Sequence, residues 1–145
     1  MTHVSIARDL LMILCGVQGI ATVAIDFSHA HATNPEWPGH ARYHVVWQAT
    51  STGLLSLIEF ALLLLRGPLQ DERFYLASIL AAIPMLGFFG ALIGRRLYGG
   101  ALSDPNGIRP LSFAAFGSKF KIDLNLAAEV AAMFLLLAIV ALFKS

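Results

Sequence analysis

Four long apolar stretches fill most of the chain and limit its fold more than any other feature. They cover residues 10–25, 45–65, 74–93 and 124–143. Each is long enough, or nearly so, to cross the hydrocarbon core of a bilayer as a helix of about 20 residues. With 57% hydrophobic and 13% charged residues, the chain has too little polar surface to coat a soluble globule. The sequence therefore predicts an all-α fold, an integral membrane four-helix bundle.

The spacing of the stretches predicts a single transmembrane domain over residues 1–145. We expect helices at about 5–26, 40–65, 73–94 and 123–143, with long loops at 27–39 and 95–122 and a short turn between helices 2 and 3. An even number of spans places both termini on one side of the membrane and both long loops on the other. Cations are more numerous at the long-loop end, which the positive-inside rule places in the cytoplasm. We therefore expect a multi-pass membrane protein with both long loops in the cytoplasm.

The low content of charge excludes several classes of function. A net charge of +1 with 10 Lys and Arg residues is too small for a nucleic-acid surface, and the single Cys15 cannot form an intramolecular disulfide. The sequence has no Gly-rich nucleotide loop. No internal repeat is evident either, so a complete secondary transporter would require a homo-oligomer. The expected partners are the membrane and a hydrophobic small molecule or lipid.

The second apolar stretch carries the most informative polar pattern. His40, His44, Gln48, Ser51 or Thr52, and Glu59 recur at offsets of four, four, three or four, and then eight or seven residues, which places them on one face of one helix. Glu59 lies fifteen residues beyond His44, about 22 Å deeper at the helical rise. We therefore expect a cavity that opens at the histidines and extends past Gln48 to Glu59.

Polar residues in two other helices follow the same four-residue step. In helix 1 a series of polar residues at this step ends at Asp26, and in helix 4 such a series includes Asn125 and Glu129. Because a carboxylate at membrane depth is costly, Glu59 and Glu129 are candidate functional groups. A polar contact that only joins helices is the alternative, but such contacts contribute about 0.6 kcal/mol. Glu129 could reach the upper part of the cavity, near His44 and Gln48; the alternative is that it reaches only the membrane interface.

These residues suggest acid–base chemistry, of an isomerase or cyclase kind, on a lipophilic substrate in an intramembrane cavity. His40 or His44 would be the acid–base group at the mouth of the cavity. The second acid–base group would be a carboxyl, from Glu59, Glu129 or Asp26, at a position where burial disfavours its charged form. Other polar and aromatic side chains would orient the substrate or stack on it. The residues expected to bind substrate are Arg42, Tyr43, Trp47, Gln48 and Asn125.

The histidines also suggest a metal site. His29 and His31 in the first loop, with His40 and His44 at the start of helix 2, supply four imidazoles, and an i, i+4 pair is good ligand geometry. The alternative function is a metal-dependent membrane oxidoreductase with a His-bound transition metal, whereas the acid–base enzyme would need no cofactor. A third hypothesis is a non-enzymatic membrane subunit whose polar residues bind a lipid or a partner helix.

Phenylalanines in the second long loop are spaced three and four residues apart. Phe113, Phe116 and Phe120 at this spacing predict a short amphipathic segment that lies on the membrane surface. Such a segment could cover the mouth of the cavity.

The run NPEWPGHARYH at residues 34–44 resembles a W-P-G-H-A-R-x-H signature of uncharacterised small four-helix bacterial integral membrane proteins. The architecture is similar to that of the DoxX-like and emopamil-binding (sterol isomerase) families. The latter resemblance implies acid–base chemistry by His and Glu on a lipophilic substrate inside a helical cavity, with His44 and Glu59 as the matching positions. The chain differs from that family in being shorter and in lacking a His-x-x-x-Glu step.

Overall fold

Four long helices and a small hairpin make up the fold. The structure, a computed structural model, describes residues 2–115 and 118–145. Its helices are α1 (His3–Asp26), α2 (Gly39–Leu64), α3 (Gln70–Gly94) and α4 (Leu124–Lys144), and its strands are β1 (Leu111–Ala115) and β2 (Ser118–Ile122). The helix ends lie within three residues of the predicted ends. The prediction of a four-helix fold is therefore confirmed, with a hairpin added to it.

All four helices are long and apolar enough to cross a membrane. α1 has 24 residues, which makes it about 36 Å long at the helical rise. The hydrocarbon core of a bilayer is about 30 Å thick. The outer surface of α1 exposes large apolar side chains, including Ile13, Val17 and Ile20. An outer surface of this kind suits lipid better than water.

Capping and turn residues determine where the helices begin and end. The Thr2 hydroxyl accepts the Ser5 backbone N–H at the start of α1, and an Asp123 carboxylate oxygen accepts that of Leu126 at the start of α4. Both side chains satisfy donors that a helix leaves unpaired in its first turn. Between α2 and α3, Gly67 has a φ of 127°, a backbone conformation that glycine adopts without strain.

The helices pack against one another in chain order, and α1 also packs against α4, so the bundle is closed. α1 begins where α4 ends, because His3 Nδ1 lies 3.2 Å from Ser145 Oγ. α2 ends at the same end of the bundle, where the Arg8 guanidinium of α1 donates to the Leu63 carbonyl oxygen. Both long segments, 27–38 and 95–123, therefore lie at the opposite end, which we call the loop end.

Close contacts between neighbouring helices fix the bundle. On α3 and α4, the rings of Phe74 and Phe143 stack with their centroids 3.7 Å apart. α1 approaches α2 most closely at Gly19, where an added Cβ would lie 2.6 Å from the Ser56 Cβ. Small residues at such a point let two helix backbones come together.

The second long segment forms a hairpin instead of the predicted amphipathic segment. β1 and β2 pair antiparallel with Phe113 opposite Phe120, and their ring centroids are 5.5 Å apart. Phe116 lies outside the described residues. A separation of seven residues brings two side chains together both along a helix face and across a tight hairpin, so the spacing did not distinguish the two structures.

Candidate functional site

The polar residues of α2 do not share one face. His40, His44 and Gln48 are exposed, whereas Thr52 and Glu59 are buried. A four-residue step exceeds one helical turn of about 3.6 residues, so each step rotates the side chain by about 40° around the helix. Three steps from His40 to Thr52 add up to about 120°, from the outer surface to the bundle interior. The prediction of a common face is therefore wrong, and His44 is exposed whereas Glu59 is buried.

Glu59 lies inside the bundle where α1 contacts α2. Its side chain is 1% exposed and lies against the Cys15 thiol of α1. One turn earlier, Ser56 Oγ donates to the Cys15 carbonyl oxygen at 3.0 Å. Gln18 Nε2 donates to the Ala81 carbonyl oxygen of α3 at 3.3 Å. These polar contacts join three helices around Glu59, whose own Oε2 is buried and has no hydrogen-bond partner within residues 2–115 and 118–145.

Most residues predicted to bind a substrate lie on the outer surface of α2. Tyr43, Trp47 and Gln48 are exposed, and Arg42 is half-buried. The Trp47 ring stacks on His44 with centroids 5.7 Å apart, and the Tyr43 ring meets His44 edge-on at 6.1 Å. The three aromatic rings therefore lie in contact along the exposed surface of α2. The prediction had placed Tyr43 and Trp47 at an interior cavity.

The four loop-end histidines do not assemble into one metal site. His40 Nε2 and His44 Nε2 lie 3.1 Å apart. His31 instead contacts Asp26, and His29 is exposed. Across residues 2–115 and 118–145, no three His, Cys, Asp or Glu side chains are grouped as metal ligands. The predicted four-histidine set is therefore divided between separate places.

A cavity of about 420 Å³ lies at the loop end, between the first loop, the second long segment and the start of α4. We call it the loop-end cavity. Its size falls within the range of small-molecule sites, about 300–1,000 Å³. The polar side chains that line it belong to His31, Trp37, Ser103, Asp104 and Asn125. Two of these, His31 and Asn125, are among the predicted site residues.

His31 has the arrangement of an acid–base group in this cavity. Its Nδ1 lies 3.7 Å from Asp26 Oδ1 and 3.3 Å from the Ile25 carbonyl oxygen. The turn that follows α1 brings the two side chains together, because the Ala32 N–H donates to the Asp26 carbonyl oxygen. Both side chains are shielded, at 15% and 18% exposed. Acceptors beside Nδ1 favour the tautomer with the proton on that atom, which leaves Nε2 as the basic nitrogen.

Contacts between the two long segments hold the cavity walls. Asn34 is 2% exposed; its Nδ2 donates to the Asn106 carbonyl oxygen at 3.1 Å, and its Oδ1 accepts the Glu36 N–H at 3.0 Å. Trp37 packs edge-on against His31, with ring centroids 5.3 Å apart. The Trp37 indole N–H is shielded and has no hydrogen-bond partner within 2–115 and 118–145. Trp37 therefore contributes its ring to the cavity wall and holds a buried donor without a partner beside it.

Glu129 lies apart from the α2 histidines. It is half-buried on α4, four residues beyond Asn125, and it does not line the loop-end cavity. α4 packs against α1 and α3, so α2 and α4 occupy opposite corners of the bundle. The predicted approach of Glu129 to His44 is therefore wrong.

Sequence reasoning missed Trp37, Ser103 and Asp104 as cavity residues. Asp104 begins an Asp-Pro-Asn-Gly turn signature, but no local pattern indicates that this turn faces Asn125.

Sequence reasoning also missed Arg8, which is 8% exposed and donates to the Leu63 carbonyl oxygen inside the bundle. A seven-residue separation from Cys15 places Arg8 near the same helix face, and this spacing could have indicated its burial.

A second cavity, almost wholly apolar, opens between α1 and α2 on the outer surface. It measures about 650 Å³, and Gly16, Gly19 and Gly53 are among the residues that line it. Its lining extends to Phe27, the residue after Asp26. We call it the lateral groove. Its shape and lining suit a flexible hydrocarbon chain.

Comparisons with protein-family models, with curated proteins and with solved structures found no match. The resemblance of residues 34–44 to a family signature therefore stays a hypothesis. Function has to be argued from the geometry of the loop-end cavity.

Proposed function

We propose that the chain is an integral membrane enzyme that transfers protons on the polar end of a lipophilic molecule. One observation carries the proposal: His31 lines the loop-end cavity with its Nδ1 3.7 Å from the Asp26 carboxylate. A carboxylate beside one ring nitrogen orients the ring and stabilises its protonated form, so the other nitrogen can accept a proton from a substrate. In this proposal Asp26 and His31 replace His44 and Glu59 as the acid–base pair.

Other groups in the loop-end cavity suit an isomerisation. The Asn125 amide and the Ser103 hydroxyl are donors for a substrate oxygen that gains negative charge as a C–H bond breaks. The electron pair of that bond stays on the substrate, and the proton goes to His31 Nε2. A new C–H bond then forms at another carbon, with the proton returned by His31 Nε2.

The lipophilic nature of the substrate follows from the surroundings of the site. Four helices that could cross a membrane carry the cavity at their loop end, and the lateral groove reaches the residue next to Asp26. A molecule with its hydrocarbon chain in the groove could extend its polar end toward the cavity. We place the protein in a bacterial inner membrane, with the loop end in the cytoplasm and both termini on the other side.

Deuterium uptake by membrane lipids tests this function for every lipid class at once. The purified protein is incubated in D₂O with a total lipid extract of the membrane in which it was produced, and the lipids are analysed by mass spectrometry. An enzyme that removes and returns a proton at carbon introduces solvent deuterium into its substrate. We expect one lipid class to gain deuterium, and the rate to fall about 10² to 10⁴-fold in His31→Gln, since general-base catalysis contributes that much.

His29→Gln is the matched control, because His29 lies two residues away and is exposed. It should keep the wild-type rate. Asp26→Asn keeps the shape of the side chain but removes its charge, so it should lower the rate while circular dichroism shows an unchanged fold. Uptake that survives in His31→Gln, or an absence of protein-dependent uptake in every lipid class, would reject the proposal in favour of a non-enzymatic binding subunit.

A further inference from the structure

The first two turns of α2 hold two imidazoles in direct contact, away from the loop-end cavity. His40 Nε2 and His44 Nε2 are 3.1 Å apart, with the ring planes at 89°. Both residues are exposed at the start of α2. The proposed proton transfer by Asp26 and His31 does not use them. We propose that His40 and His44 form a binding site for a divalent transition-metal ion.

The distance between the two nitrogens matches that of two ligands on one metal ion. An imidazole nitrogen binds zinc at about 2.0–2.1 Å. Two such nitrogens that subtend an angle between an octahedral and a tetrahedral value at the ion are about 2.9 to 3.4 Å apart. The observed 3.1 Å lies inside that interval. A metal ion could therefore replace the hydrogen bond between the rings with little rearrangement of the helix.

Neighbouring rings support the arrangement of the pair. Trp47 stacks on His44 at 5.7 Å, and Tyr43 meets the same imidazole edge-on. These contacts restrict rotation of the His44 side chain, so less conformational freedom is lost when an ion binds. His40 keeps its position through the contact with His44.

The environment indicates which ion would bind. No third His, Cys, Asp or Glu joins the pair in the described part of the chain, so water would complete the coordination. Imidazole ligands select copper, nickel and zinc over magnesium and calcium, and affinity rises from nickel to copper. Exposure of both rings gives an ion in solution direct access to the site. The site is thus a two-histidine site for Cu²⁺, Ni²⁺ or Zn²⁺, separate from the loop-end cavity.

Tryptophan fluorescence gives a local readout of this site. The chain has two tryptophans, so Trp37→Phe leaves Trp47 as the single emitter, stacked on His44. Cu²⁺ is titrated into tag-free, detergent-solubilised protein of this background, and quenching of the Trp47 emission is recorded. We expect saturable quenching. In His40→Ala the half-saturating Cu²⁺ concentration should rise at least tenfold, which corresponds to about 1.4 kcal/mol of binding free energy.

Matched variants separate the pair from other metal contacts. His29→Ala removes an exposed histidine outside the pair and should leave the half-saturating concentration unchanged. Mg²⁺ should cause no quenching, and Ni²⁺ should require a higher concentration than Cu²⁺. His40→Gln provides a second substitution if His40→Ala alters the circular dichroism spectrum. The proposal would be overturned if the half-saturating Cu²⁺ concentration were the same in the parent, His40→Ala and His40→Gln. Quenching that never saturates would also overturn it.

Discussion

At the scale of single residues, Gly19 shows how an absent side chain sets the distance between two helices. An added Cβ would lie 2.6 Å from the Ser56 Cβ, well inside van der Waals contact. The Ser56 hydroxyl is itself held by the Cys15 carbonyl oxygen, so it cannot simply move aside. The close approach of α1 and α2, which places Glu59 against Cys15, therefore depends on glycine at this position.

Gly19→Ala is accordingly expected to destabilise the bundle. Overpacking a tight contact typically costs about 1 to 3 kcal/mol of unfolding free energy. The measurement is unfolding in mixed micelles during a titration with sodium dodecyl sulfate, followed by circular dichroism. Gly87→Ala is the control, because a Cβ at Gly87 meets nothing within 4 Å. Equal stability of Gly19→Ala and Gly87→Ala would contradict the close contact, and Ser56→Gly should partly restore a destabilised Gly19→Ala protein.

At the scale of elements, α2 shows why its helix was predictable and its polar face was not. The apolar run and the Trp37-Pro38-Gly39 entry are local signals, and they defined the helix. A four-residue spacing looks like one face over two steps, but the rotation accumulates to about 120° over three. His40 therefore ends outside and Thr52 inside. Which face of α2 points into the bundle depends on how α2 packs against α1 and α3. The sequence of α2 alone does not show this packing.

The connection between the two long segments depends on one buried amide. Asn34→Ala removes the hydrogen bond to the Asn106 carbonyl oxygen and that from the Glu36 N–H. Loss of a buried hydrogen-bond partner costs about 1 to 3 kcal/mol. We expect faster amide hydrogen exchange in residues 101–108, measured by mass spectrometry, while exchange in the middle of the helices stays slow.

Asn106→Ala is a matched control for that prediction, because Asn106 contributes its backbone carbonyl oxygen to the contact with Asn34. Its exchange pattern should resemble the wild type. If the two variants show the same exchange in residues 101–108, the amide of Asn34 does not hold the segments together.

At the scale of the whole molecule, the bundle was predictable because its signals are local and strong. Four apolar runs and one short turn specify four antiparallel helices. The loop-end cavity was not predictable, because it joins groups that are far apart in the chain, such as His31 and Asn125. The acid–base pair shows the same contrast: Asp26 and His31 were both singled out, but for different roles, and only the turn after α1 brings them together.

The proposed insertion into a membrane is tested by cysteine accessibility. The native Cys15 is fully buried, so introduced cysteines can be labelled with a membrane-impermeant maleimide against a low background. Thr33→Cys and Lys119→Cys, at the loop end, should react from the cytoplasmic face. Arg66→Cys and Ser145→Cys should react from the opposite face. Labelling of all four from one face of sealed vesicles would contradict four spans, and an exchange of the two groups would reverse the proposed orientation.

The first and last residues of the bundle nearly touch, with His3 Nδ1 3.2 Å from Ser145 Oγ. A linker of a few residues could join the ends without moving a helix, as is common when termini lie close together on a surface. The chain could then begin at the Gly67 turn, and a circular permutant would be synthesised in the order α3, α4, α1, α2. Its new ends would still lie on the side of the original termini, so the order of insertion could be altered while the partners of every helix stay the same.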